Sequence, residues 1–252
     1  MTARTSERVG MLDEIRGFAI VCMVVYHLMF DLSYFYGIKV PIFMDGWFGI
    51  VRDFFAGTFI FISGIACRYS QNNLKRGVQC FFLGMVMTFV TAFVTPEAPV
   101  YFGILHLLGV CMMIYGLCEK FVDYVPPSAA IIACAVLFSV THGVAQRYLG
   151  FTKSISLRIP DEIYSAGLLF SFGFIKYGFA SVDFFPLLPW FFVFAAGVYT
   201  GVYIRQKKFP SWFYKCHEPF FGFAGRHSLW IYLLHQPVLA LVLTAVTGQG
   251  LF

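Results

Sequence analysis

Residues 15–36 read IRGFAIVCMVVYHLMFDLSYFY, an apolar run interrupted by one arginine, one histidine and one aspartate. A helix needs about 20 mostly apolar residues to cross the hydrocarbon core of a bilayer. This run is too long for the core of a signal peptide, and no small-x-small cleavage site follows it. It reads as a retained first transmembrane helix. Six further runs of the same kind lie at 47–67, 77–95, 101–119, 127–146, 186–204 and 227–247. Prolines mark the breaks between them: Pro41, Pro96, Pro99, Pro126, Pro127, Pro186, Pro189, Pro210 and Pro219.

The composition fits a chain surrounded by lipid. Of 252 residues, 59% are hydrophobic and only 12% charged, against roughly 25% charged in a soluble domain. A globule of this length still needs a wet surface, so lipid contact accounts for the missing charge. The formal net charge of +5 is spread in short clusters between apolar runs and makes no nucleic-acid patch.

The segment 163–180 is the ambiguous one. Three glycines and Lys176 interrupt it, leaving a clean apolar stretch of only about 10–12 residues, which suits a re-entrant or interfacial element. The excess of Lys and Arg in cytoplasmic loops decides. If 163–180 does not span, Arg4, Arg8, Arg68, Lys75, Arg76, Lys120, Arg205, Lys207, Lys208 and Lys215 share the cytoplasmic side. Lys39, Arg147, Lys153, Arg158 and Lys176 then lie outside. The expectation is one all-α domain over residues 1–252, a polytopic bundle of seven spans with eight as the alternative. The N-terminus is cytoplasmic, and 147–185 form an outer excursion. The seven cysteines then lie in helices or on the cytoplasmic side, without zinc-type spacing, as free thiols do.

Ionisable residues within a span are costly and mark function. Arg16 and His27 are about 16–17 Å apart along the first helix at 1.5 Å per residue. Asp31 shares the face of His27 one turn on, placed to orient the imidazole. An interfacial arginine and an interhelical hydrogen bond are the plain readings of Arg16 and His27 taken singly. His106 opens the fourth span. His235 and Gln236 precede Pro237 in the last span, where a proline loosens the backbone as it does around membrane sites. Arg52 and Asp53 read as an interfacial charge pair, and Asp183 as a solvated loop carboxylate. No phosphate loop, dinucleotide fingerprint, metal-spaced histidine pair or nucleophile elbow occurs. The residues alone support general-base chemistry or a proton relay without separating the two.

Leu12 to Val21, continuing through Tyr26 and His27, resembles the opening of bacterial relatives of heparan-α-glucosaminide N-acetyltransferase. Gly103 to Gly109, Asp183 to Gly197 and Gly225 to Pro237 extend the resemblance in the same order. The spacing of Arg16 and His27 is also similar to that of membrane acyltransferases acting on surface polysaccharides. The resemblance implies transfer of an acetyl group from cytoplasmic acetyl-CoA to an amine or hydroxyl of an extracytoplasmic acceptor, a sugar by class. It places the chain in a bacterial inner membrane, with lipid and acyl-CoA as partners and a homodimer as an allowed state. In that reading His27, assisted by Asp31, is the base. Arg16 and Arg76 meet the CoA phosphates, and His106, Asp183, His235 and Gln236 line the acceptor pocket. The lysosomal enzyme carries a histidine in the loop before its second family helix, whereas Pro41 to Trp47 here contain none. The competing expectations are a small proton-coupled transporter and a non-catalytic scaffold.

Overall fold

A computed structural model describes residues 8–41 and 47–248. Seven helices in it are long and apolar enough to cross a membrane, and the multi-pass bundle expected from hydropathy is what the chain forms. They are α1 (Gly10–Tyr34), α2 (Trp47–Cys67), α3 (Asn73–Val94), α4 (Ile104–Val122), α5 (Pro127–Thr141), α7 (Leu187–Arg205) and α9 (Ser228–Thr247). The first span begins five residues earlier than the apolar run suggests and takes in the charged turn around Asp13 and Glu14. All seven cysteines are free.

The chain separates into two compact units. One comprises residues up to Ile62 with Lys207 onward; the other is Ser63–Gln206. The first unit contains α1, most of α2, a 3-10 turn at Ser211–Tyr214, the short helix α8 (Pro219–Arg226) and α9. Pro219 sits in the first turn of α8, where a missing N–H costs nothing. The α1–α8 contact is unusually close because it is made of backbone. A methyl on Gly17 would stand 2.7 Å from the carbonyl carbon of Phe221, and one on Gly225 would stand 2.7 Å from the carbonyl carbon of Asp13. In each case the carbonyl oxygen is nearer still. Glu14, buried in the same contact, accepts hydrogen bonds from the backbone N–H groups of His217 and Glu218, the latter at 2.9 Å. Its carboxylate thus closes the turn that leads into α8.

In the second unit α3 packs along α4 and α5 along α7. Pro127 opens α5 as Pro219 opens α8. Asn72 caps α3 by accepting the N–H of Lys75 at 2.8 Å. The segment 147–185 does not span. It forms an antiparallel hairpin of β1 (Tyr148–Thr152) and β2 (Ile155–Arg158), then α6 (Asp161–Ser165) and a 3-10 turn at Phe170–Phe172. Among the described residues the hairpin is the one piece of sheet in an all-α bundle. Its base is clamped. The Tyr148 hydroxyl meets Nε2 of His142 at 3.0 Å, Tyr164 donates to the carbonyl of Val144, and Arg147 lies 3.8 Å above the ring of Tyr177. Arg147 and Arg158 both pair with Asp161, which holds that carboxyl below the usual aspartate range.

Candidate functional site

The polar side chains of α1 and α9 meet inside the first unit. The rings of His27 and His235 lie 4.8 Å apart, tilted by 53°. One turn along α1, Asp31 is fully buried and accepts from Nε2 of Gln236 at 2.8 and 2.9 Å. The pair joins residues 205 positions apart in the chain. An ionised carboxylate only accepts, so the amide nitrogen must face it and Oε1 of Gln236 must point elsewhere. That Oε1 is buried without a partner.

The tautomer of His235 follows from its neighbour. Its Nδ1 lies 2.6 Å from the carbonyl of Tyr232, and a carbonyl only accepts, so Nδ1 carries the proton. The neutral ring then presents a lone pair at Nε2, which is buried and unpaired. The site therefore holds two orphaned acceptors, one on each of two successive residues of α9. Pro237 follows them and removes the backbone donor that would have reached the carbonyl of Leu233.

Asp31 does not act on His27 as the i, i+4 spacing suggests: its hydrogen bonds go to Gln236. What stands against His27 is the ring of His235. A third helix adds two residues that the sequence reading left aside. Arg52 of α2 hydrogen-bonds Tyr26 and pairs with Asp53 at 2.7 Å, and it lies within electrostatic reach of His27. The clue was available, because two adjacent charges inside an apolar run need a reason to be there.

Arg16, which the family resemblance sets against the CoA phosphates, faces Asp13 at 3.7 Å. Glu14 is committed to the turn before α8 and hydrogen-bonds the Cys216 thiol, which pushes that thiol's pKa up. Within the charged turn opening α1, Glu14 thus fastens α1 to the segment before α8.

Three candidates belong to the second unit. His106 is buried against Gly84 with its Nε2 3.5 Å from the Thr88 hydroxyl. Thr88 gives its own proton to the carbonyl of Val100 at 2.7 Å, so the ring nitrogen is the donor there. His106 Nδ1 is buried without a partner. Asp183 is not a loosely solvated loop carboxylate. Its Oδ2 accepts the N–H of Ile104 at 3.2 Å and so caps α4 from 79 residues away. Arg76 is exposed in the first turn of α3. The same unit buries Arg68, which reaches the Val198 carbonyl at 3.1 Å and the Asp123 carboxylate. Residues 42–46, most of the loop that lacks the family histidine, lie outside the described residues. Among the described residues no group of three His, Cys, Asp or Glu is placed to hold a metal.

Seven apolar helices with a histidine pair between the first and the last define a multi-pass membrane protein with an internal polar site. Residues 8–237 match the catalytic domain of heparan-alpha-glucosaminide N-acetyltransferase, and the chain belongs to that family of acetyltransferases. No curated protein and no solved structure matches it.

Proposed function

We propose that the protein acetylates an extracytoplasmic acceptor with acetyl-CoA as donor, and that the His27–His235 pair is its reacting centre. One observation carries this reading. The family match opens just before α1 and closes at Pro237, so it encloses both halves of the histidine pair. The acceptor is an amine or hydroxyl, of a sugar by class, and the site would lie in the outer half of a bacterial inner membrane.

The chemistry needs few parts. The acceptor nitrogen or oxygen attacks the thioester carbonyl while its proton passes to His27 as general base. The C–S bond then breaks, and the departing CoA sulfur takes the proton back to leave as the free thiol. His235 and Gln236 bind the acceptor: Nε2 and Oε1 are both acceptors, and an amine or hydroxyl donates to them where a thioester cannot. Asp31 holds the amide of Gln236 in the orientation that exposes Oε1. In the second unit Asp183 fixes the start of the helix that carries His106. The donor enters from the cytoplasmic side, where Arg16 meets the nucleotide phosphates. Pantetheine then spans the roughly 16 Å from Arg16 to His27.

The test is release of CoA thiol from acetyl-CoA by the purified protein in nanodiscs, with and without a panel of amino sugars. Acceptor-dependent release is expected, and Arg16→Ala should weaken CoA binding by about 1.5–3 kcal/mol. Absence of CoA binding together with proton-driven solute uptake in vesicles would replace this reading by the transporter.

A further inference from the structure

The hairpin of β1 and β2 is amphipathic in the wrong sense for a soluble protein. An antiparallel pair beside a protein core turns its apolar face inward and its polar face to water. Here the half-buried positions are Tyr148, Gly150 and Ser156. The apolar side chains point away. Leu149 and Leu157 oppose each other across the ladder and Ile155 shares the face of Leu157. Leu149 is 36% exposed, Ile155 71% and Leu157 77%. Phe151, at the irregular step of the register, is 55% exposed.

Such a face is costly in water and must be covered. Two observations name the cover. The hairpin packs against α5, whose own exposed side chains, Ile132, Val136 and Leu137, are the lipid-facing surface of a span. The apolar face of the hairpin therefore stands beside a helix whose own exposed side chains are apolar. The charge also fits: residues 148–158 contain Lys153 and Arg158 and no acidic residue, and Lys153 is exposed in the turn between the strands. A basic tip beside an apolar face suits the boundary where acyl chains meet lipid phosphates.

We propose that this hairpin is an interfacial anchor, with Leu149, Ile155 and Leu157 seated in the outer acyl-chain region and Lys153 against lipid phosphate. The clamped base described above makes it a rigid outrigger of α5. The anchor stands apart from the histidine pair and needs no assumption about the reaction.

Quenching in reconstituted vesicles tests it. Leu157→Cys and Ile155→Cys are made separately in a chain carrying Cys118→Ser and Cys216→Ser, which removes the two exposed thiols, and each is labelled with bimane. Lipids brominated near the top of the acyl chain should dim both labels about twofold, while aqueous iodide leaves them bright. Lys153→Glu should reduce that quenching in vesicles of anionic lipid. Bright emission with bromolipid and strong quenching by iodide would overturn the proposal, because the face would be in water. Protection from both quenchers, with a disulfide joining two copies of the unlabelled Leu157→Cys chain, would overturn it in favour of a self-interface. Elution and thermal unfolding matching the unlabelled chain confirm that each labelled protein is folded.

Discussion

The contact of α1 with α8 can be tested by adding a single methyl group. Gly17→Ala brings a Cβ to 2.7 Å from the carbonyl carbon of Phe221 and to 2.8 Å from the backbone nitrogen of Gly225. Ordinary contact begins near 3.4 Å, so α8 must recede by at least about 0.7 Å. No flexible side chain end can give way, since the three nearest opposing atoms are all backbone. Overpacking of this kind costs about 1–3 kcal/mol. Gly225→Ala meets the carbonyl carbon of Asp13 at the same 2.7 Å from the other side and should cost as much. The two methyl groups demand the same separation, so the double variant should cost clearly less than the sum of the singles. Gly49→Ala is the control, because nothing lies within 4 Å of its Cβ. Thermal unfolding in a fixed detergent, followed by thiol exposure of the buried cysteines, reads all four variants. Strictly additive losses, or a Gly49→Ala loss as large as that of Gly17→Ala, would refute the argument that one shared backbone distance sets the cost. Receding α8 also shifts the start of α9 and with it His235, so activity should fall with stability in both singles.

Removing the base should cost about 10²–10⁴-fold in transfer rate; His27→Ala is expected to do so with CoA binding intact, and rate loss from His235→Ala alone would exchange the roles of the two rings. Gln236→Glu sets two carboxylates against each other and should destabilise the chain by about 1–3 kcal/mol; Asp31→Asn in the same chain restores a donor–acceptor pair and should recover most of it, whereas no recovery in thermal unfolding would place the partners of Asp31 elsewhere. The Asp161 carboxyl is held below its ordinary value by Arg147 and Arg158, so its contribution is present above the unfolded-state value and is lost only as pH falls through the lower folded one. Proteolytic protection of residues 148–158 should thus be flat from neutral pH down to about 4, and Asp161→Asn should remove part of it throughout that range.

The spans were legible because hydropathy is a local property, and a run of about 20 apolar residues needs no tertiary knowledge to be recognised. The same measure could not see α8, which is too short, or the hairpin. The hairpin was read only as part of the outer excursion 147–185, while the alternation through Leu149, Phe151, Ile155 and Leu157 carried the strand signal. The histidines were legible as misfits in apolar helices, but their partners were not. Helical spacing says that Asp31 lies on the face of His27; it cannot say that Gln236 arrives to take the carboxylate. Asp183 was read as solvated for the same reason, since a carboxylate that caps a helix 79 residues away leaves no trace in its own neighbourhood. Arg52 was set aside because Asp53 offered a ready local partner.

The hydrogen bond between Asp31 and Gln236 also dates the site in the life of the chain. At about 5–20 residues per second, roughly 10–40 s separate the synthesis of the carboxylate from that of its amide. Through that interval α1 waits in the bilayer with a buried-to-be acid and an imidazole that nothing yet holds. The second unit, continuous from Ser63 to Gln206, is synthesised whole before the last helix exists. A ribosome that stalls before α9 therefore leaves a nascent product with most of its spans and without the contact between His27 and His235.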